Sequence, residues 1–283
     1  MPFFSIITAT HNAERHLPDL LESLATQTCK EFELVLQDAK SSDGTLEILD
    51  AYSNRIASLS VVSEPDTGIY DAWNKALLRA GGEWILFLGA DDTLVSDTTL
   101  STVKHALETC PDGVLFACGD LDLLKSDGER KETLLSRVDE AQALLCAGLM
   151  PAGHPAMFHH RSLFKATQFD ITFQIAADYE FLCRLWTPAV KAVNLGLPVT
   201  RMGAGGISQT PRAVWRTRWE VFRILRRHFP SEGAFHCHAL PLAKGLLVAC
   251  ACCLFGEKRA ATLLDRFREM RGLSRVWTDI VGR

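Results

Sequence analysis

The first hundred residues alternate between two hydrophobic periods. FFSIITAT (3–10) is a β-branched apolar run, the pattern of a buried strand. LPDLLESLATQ (17–27) then places Leu17, Leu20, Leu21 and Leu24 at helical spacing. FELVLQD (32–38) predicts a second strand, and SSDGTLEILDAYSNRI (41–56) a capped loop entering a helix. LSVVSEPD (59–66) predicts a third strand, GIYDAWNKALLRAGG (68–82) a helix and EWILFLGADD (83–92) a fourth strand. This β-α-β-α-β-α-β order predicts an α/β fold, a mostly parallel sheet with helices on both faces and right-handed crossovers.

Further along, the signal thins. DGVLFACGDLDLL (112–124) predicts another strand, SDGER a turn, and a loop-rich middle follows. AADYEFLCRLW (176–186) reads as a helix with Phe181, Leu182 and Leu185 as its core face. GAGGIS (203–208) follows no clear strand and opens no clear helix, which argues against a dinucleotide fingerprint and for a mobile lid. AVWRTRWEVFRILRRHFP (213–230) predicts a basic helix with interleaved aromatics, and 239–256 is an 18-residue apolar run with one charge, Lys244. A spanning helix needs about 20 such residues, and Pro241, Lys244 and Gly245 interrupt this one. A helix lying in the membrane interface, joined by the arginines of 212–227, fits better. The chain thus divides into a domain over 1–210 and a helical C-terminal extension over 211–283.

Charge follows the same division. The net charge of −4 hides 15 Lys/Arg against 28 Asp/Glu in residues 1–200, and 15 against 6 in residues 201–283. An acidic front without a recognised binding module excludes nucleic acid as the partner. MPFFSIITATHN lacks the basic start and small-residue cleavage site of a secretory leader, so a cytoplasmic protein with free thiols is expected. Among the nine cysteines, Cys250, Cys252 and Cys253 are too tightly spaced for a zinc site.

The candidate chemistry gathers at strand ends. In such sheets the ligand crevice lies beyond the carboxyl ends of the strands. Thr8-Ala9-Thr10-His11-Asn12, Gln37-Asp38, Glu64-Pro65-Asp66 and Asp91-Asp92 all stand there, so they are expected along one edge. Adjacent carboxylates repel, and each loses solvation where a strand meets the interior unless a cation compensates. The next helix already has caps available at Ser96 and Asp97, which leaves Asp91 and Asp92 free for a cation. A Mg²⁺-dependent phosphoryl-transfer enzyme would want an aspartate nucleophile right after the first strand, and Thr8-Ala9-Thr10 offers none.

Six collinear stretches together resemble the family 2 glycosyltransferases, bacterial enzymes that transfer a sugar from a nucleotide donor with inversion. They are SIITATHN, LESLATQTCKEFELVLQDAKSSDGTLEIL, SEPDTGIYDAWNKAL, GEWILFLGADDTL, GHPAMFHHRSLF and AADYEFLCRL, covering roughly residues 4 to 210. The resemblance implies the nucleotide-binding fold called GT-A. It implies that Thr8, Ala9 and Thr10 cup the nucleobase and that Asp38 hydrogen-bonds a uracil. Asp71 is implied as a donor contact, Asp91 as facing the ribose or a metal-bound water, and Asp92 as the ligand of Mn²⁺ or Mg²⁺ on the diphosphate. Asp178 corresponds to the catalytic base, and His154 to a histidine near the acceptor.

The implied function is transfer from a nucleotide sugar, a UDP-sugar first, to a glycan or lipid-linked acceptor at the cytoplasmic membrane face. The alternative is a sugar-nucleotide-binding subunit that has lost catalysis. Two departures stand out. Where relatives carry Asp-Asp-Gly-Ser or Gln-Asp-Gly-Gly-Ser, this chain has Gln37-Asp38-Ala39-Lys40-Ser41, and without glycine the loop is expected to take another path. His11 replaces a more usual tyrosine and can still stack on a base.

Overall fold

The computed structural model describes residues 1–124, 128–203, 211–230, 246 and 256–269. The apolar run at 239–256, apart from Leu246 and Gly256, and the glycine-rich stretch at 203–208, apart from Gly203, lie outside the described residues.

Four parallel strands build the first half of the sheet: β1 (Phe4–Thr10), β2 (Phe32–Asp38), β3 (Leu59–Ser63) and β4 (Trp84–Leu88). Helices α1 (Leu17–Ala25), α2 (Thr45–Tyr52) and α3 (Ile69–Leu77) connect them in turn. After β4 come β5 (Asp92–Leu94), α4 (Thr99–Glu108), β6 (Val114–Leu124), β7 (Arg130–Leu134), α5 (Ala141–Cys146) and β8 (Met157–His160). The last elements are α6 (Ala177–Leu185), β9 (Lys191–Met202), α7 (Pro211–His228) and α8 (Glu257–Glu269). Among the described residues one mixed sheet runs β3-β2-β1-β4-β8-β6-β9-β5, with β7 on β6. β8 is antiparallel to β4 and β6, β9 is parallel to β6, and β5 is antiparallel to β9.

The period-2 alternation of β4 sorts the core into two layers. Trp84, Leu86 and Leu88 join the leucines of α1 (Leu17, Leu20, Leu21, Leu24), with Leu49 of α2 and Leu100 of α4. Ile85 and Phe87 face the other layer, with Trp73 of α3, Leu145 of α5, Phe181 of α6, and Ile224 and Leu225 of α7. Each fully buried leucine or phenylalanine contributes on the order of 1.5–3 kcal/mol from burial, so both layers are needed to hold the sheet. The basic helix α7 is therefore packed in the same layer as α3 and α6.

Four expectations change. The loop-rich middle contains β7, α5, β8 and the long β9, and β9 runs directly up to the glycine-rich stretch from which no strand was expected. β9 escaped the pattern because Asn194, Gly196 (at φ 64°) and Pro198 interrupt it, and its pairing with β6 shifts register. The helix expected over 68–82 ends at Leu77: the Arg79 and Ala80 N–H groups close turns onto the Ala76 and Leu77 carbonyls, and by Gly82 the chain packs on β1, where a Cβ would stand 2.5 Å from the Ser5 nitrogen. The cap of α4 is Thr98, not Ser96 or Asp97; the Thr99 hydroxyl instead accepts from the Ser96 N–H at 3.0 Å.

Candidate active site

The parallel strands end level with one another. Register places Thr10 beside Asp38 and Asp38 beside Ser63, so three strand termini meet along one edge. Beyond them opens a cleft of about 700 Å³, walled by Ala9 to Asn12, Ala39 and Lys40, Pro65 and Asp66, and Gly89 to Asp91. It spans the ends of four strands, at about 4.8 Å per strand, so it suits an extended ligand. His11 and His16 are exposed on its wall. Thr10 and Ala9 line it as expected. Thr8 is fully buried one residue earlier, outside the lining, and its hydroxyl has no partner among the described residues.

Asp38 is buried, and four donors fill its carboxylate. The Thr10 hydroxyl (3.0 Å) and the Ser41 hydroxyl (2.5 Å) donate to Oδ1, and the Ser41 N–H (3.0 Å) and the Ser63 hydroxyl (2.6 Å) to Oδ2. Burial alone raises its pKa; the bonds from Ser41, Ser63 and Thr10 reverse this and leave it below the usual carboxylate range. With its acceptor positions taken, Asp38 ties β1, β2, β3 and the Ala39–Ser41 turn together. Nothing in it is left for the edge of a uracil, so its geometry is that of a support behind the cleft wall.

The Ala39–Ser41 turn does not need glycine to take its path. Lys40 itself adopts the left-handed conformation, at φ 58°, and Asn12 opposite does so at φ 52°. Asparagine reaches that region easily, whereas lysine is strained there by about 1–2 kcal/mol. The Asn12 side chain accepts from the Ser42 N–H at 2.9 Å and the Asn12 N–H donates to the Ser41 hydroxyl at 2.8 Å, which locks the two loops face to face.

Asp91 and Asp92 part company. Asp91 is exposed on the cleft wall, while Asp92 is 2% exposed and begins β5. The Gly89 N–H donates to Asp92 Oδ2 at 2.7 Å, and Oδ1 has no partner among the described residues. Burial, then the neighbouring charge of Asp91, pushes the Asp92 carboxyl up to about 8 despite that bond. A buried carboxylate oxygen without a donor, beside a second carboxylate, fits a hard divalent cation. Gly89 is part of the fit, because a Cβ there would lie 2.8 Å from Asp91 Oδ1 and 3.1 Å from Asp92 Oδ2. Among the described residues no group of three or more His, Cys, Asp or Glu side chains is gathered for a metal, so these two carboxylates leave most coordination positions to a ligand and water.

Asp178 lies in the first turn of α6, half-buried. The Tyr70 hydroxyl of α3 lies 3.0 Å from its Oδ1 and 2.7 Å from the Ile175 carbonyl oxygen, and the Tyr179 N–H donates to the same Oδ1 at 2.8 Å. Burial raises the Asp178 pKa, opposed by the bonds from Tyr179 and Tyr70. Immediately upstream, the Gln174, Ile175 and Ala176 N–H groups donate to the carboxylate of Glu220 on α7, at 3.0, 2.9 and 2.9 Å. Tyr70 and Glu220 both escaped the sequence reading. Tyr70 lies within a stretch read only as a helix, and Glu220 is the sole acid between 211 and 230, the one available signal.

Two other candidates have protein partners. Asp71 Oδ2 accepts from the Thr67 N–H (2.9 Å) and hydroxyl (3.2 Å) and lies 3.7 Å from Lys75, which fixes the entry to α3. His154 is 8% exposed, stacked on Trp73 and Phe87 at 5.2 and 5.4 Å. Burial pushes its pKa down to about 3, so it is neutral, and its Nε2 has no partner among the described residues.

The family model described as Glycosyl transferase family 2 matches residues 5–164. A PGL/p-HBAD biosynthesis glycosyltransferase of Mycobacterium bovis is 33% identical over 214 residues, covering 74% of this chain and 80% of that one. Among solved structures, Staphylococcus aureus TarS 1–349 in complex with UDP-GlcNAc superposes with a TM-score of 0.62 at 21% identity, over 88% of this chain and 72% of that one. The mannosyltransferase PcManGT from Pyrobaculum calidifontis, in complex with GDP-Man and Mn²⁺, gives 0.63 at 18% identity over 99% and 84%. At these identities the two structures speak to the fold, which is the GT-A fold.

Proposed function

The chain belongs to glycosyl transferase family 2, and from that premise we propose that it moves a sugar, with inversion, from a nucleoside diphosphate donor onto a glycan or lipid-linked acceptor of a bacterial surface polysaccharide. The observation that carries the donor reading is Asp91 on the wall of a cleft four strands long, with the buried Asp92 next to it in the chain carrying an Oδ1 without a partner among the described residues. Asp91 and Asp92 would hold Mn²⁺ or Mg²⁺ at that end, and the nucleoside then extends over β1 toward Ala39, Lys40 and Asp66. When bound, the cation supplies stabilisation of the negative charge that develops on the departing diphosphate.

The chain's own groups do the rest. Ala9, Thr10 and the Asn12–Ser42 contact shape the nucleoside end, with UDP as the first donor to test. Asp71 holds the entry to α3 beside that end. Asp178 takes the proton from the acceptor hydroxyl as it attacks the face opposite the diphosphate. Burial raises its affinity for that proton. His154, neutral, buried and stacked on Trp73 and Phe87, serves the acceptor side as packing beneath it rather than through an exposed nitrogen.

No helix among the described residues is long and apolar enough to cross a membrane. Trp219 and Arg218, exposed on the outer face of α7, support peripheral contact with the cytoplasmic face of an anionic membrane.

The test is a thermal-shift titration with UDP, GDP and dTDP, each with and without Mn²⁺, on wild type and Asp92→Asn. A ligand at about 100 times its Kd stabilises by ~2.7 kcal/mol. That is a rise of several degrees at about 2–4 °C per kcal/mol. A Mn²⁺-dependent rise with one nucleotide, lost in Asp92→Asn, is the expected result. No rise with any nucleotide overturns the donor reading, for an enzyme and for a sugar-nucleotide-binding subunit without catalysis alike.

A further inference from the structure

The C-terminal helix α7 is built to grip the segment that leads into Asp178. Arg216, Glu220, Arg223 and Arg227 recur at i, i+4, i+7 and i+11, which places them on one stripe. Every member of the stripe meets residues 170–176: Arg216 bonds the Gln174 side chain, Arg223 lies 4.8 Å over the Phe173 ring, and Arg227 pairs with Asp170 at 3.0 Å. In their midst Glu220 is 4% exposed, and its carboxylate gathers three consecutive backbone N–H groups. At the residue after Arg227, His228 meets Glu180 of α6 at 3.0 Å.

Three amides converging on one carboxylate are a strong, directional arrangement. Residue 174 to 176 backbone cannot pivot without breaking it, and Asp178 follows two residues later. The Ile175 carbonyl, in the same turn, shares the Tyr70 hydroxyl with Asp178 Oδ1.

We propose that Glu220 is a positioning residue for the transfer reaction, holding the 174–176 turn so that the Asp178 carboxylate stays aimed at the acceptor hydroxyl. This rests on the reading of Asp178 as the base. The titratable groups around Asp178 are Tyr70 from α3, Glu220 from α7, and Cys183 and the His228-paired Glu180 on its own helix. Of these, Tyr70 donates to it, while the Glu220 carboxylate, bonded to the backbone two residues upstream, is a like charge whose removal favours the ionised form of Asp178.

The experiment compares wild type, Glu220→Gln, Glu220→Asp and Asp178→Asn by three readouts. Carboxyl ¹³C titration reads the midpoint of Asp178 without any substrate. Amide hydrogen exchange reads residues 174–176. Release of nucleoside diphosphate from UDP-glucose, UDP-N-acetylglucosamine and GDP-mannose with Mn²⁺ reads turnover, with water as the acceptor. In Glu220→Gln the Asp178 midpoint falls, exchange at 174–176 accelerates, and kcat drops ~10–100-fold at unchanged donor KM. Glu220→Asp, which keeps the charge, retains the midpoint and recovers part of kcat. An unmoved midpoint in a folded Glu220→Gln, or a kcat loss matched to a loss of folded protein, overturns the proposal. Full turnover in Asp178→Asn would instead remove the base reading itself.

Discussion

Gly89 and Asp92 are fitted to each other: the Gly89 N–H reaches Asp92 Oδ2 at 2.7 Å, and the space where a side chain at 89 would begin is taken by the carboxylates of Asp91 and Asp92. Gly89 is not in a left-handed conformation, so alanine is allowed by the backbone. Gly89→Ala should therefore fold with little loss of Tm, because Asp91 is exposed and can swing away. The displaced carboxylates should then weaken Mn²⁺-dependent nucleotide binding by ~10-fold or more. Isothermal titration with UDP and Mn²⁺ checks this, and undiminished affinity would refute a cation at these two acids.

Asp38 predicts a pH dependence. Its pKa is depressed in the folded protein, so it adds stability that is present above about pH 4 and is lost as pH falls through the folded value. Asp38→Asn removes the anion that four donors address, at a cost on the order of 2 kcal/mol or more near pH 7. The Tm gap between variant and wild type should narrow as pH falls from 5 to 3. A gap that stays constant over that range would contradict the assignment.

Much of this frame was legible. Leu17, Leu20, Leu21 and Leu24 mark α1 at helical spacing, and the β-branched runs mark β1 to β4, because a parallel strand buried on both faces leaves an unbroken apolar signature. The alignment of Asp38, Asp66 and Asp91 along one edge followed from topology alone. What the chain could not disclose is how the side chains pair. Asp38 reads as a free acid until the turn after β2 folds Ser41 back onto it and the end of β3 brings Ser63 beside it. Glu220 reads as one acid in a basic helix until residues 174–176 are set against it. β9 hides because its pairing with β6, rather than its own alternation, holds it straight through Gly196 and Pro198.

Lys40 holds a left-handed φ without the means to do so cheaply. Lys40→Gly should raise stability by about 1 kcal/mol relative to Lys40→Ala, which keeps the strain. Parallel chemical denaturation of the two variants checks the difference, and equal midpoints would show that the turn relaxes by another route.

Tyr70→Phe removes the hydroxyl shared by the Ile175 carbonyl and Asp178 while leaving the ring in place. Because that hydroxyl lowers the Asp178 pKa against the upward pull of burial, its loss should move the acid limb of the kcat profile to higher pH. Donor KM should not change. A limb that stays fixed while kcat falls would assign Tyr70 to packing alone.

The contact between Ala176 and Glu220 bridges 44 positions of chain. Strands β1 to β3, by contrast, find all their partners within the first ninety residues, and the residues that wall the cleft end at Asp91. A polypeptide emerging from the ribosome thus brings the ends of β1, β2 and β3 together early, while Asp92 waits for β9 and the segment ahead of Asp178 waits for α7. The two ends of the site are therefore assembled at different times during synthesis, the cleft wall first and the Asp178 turn after it.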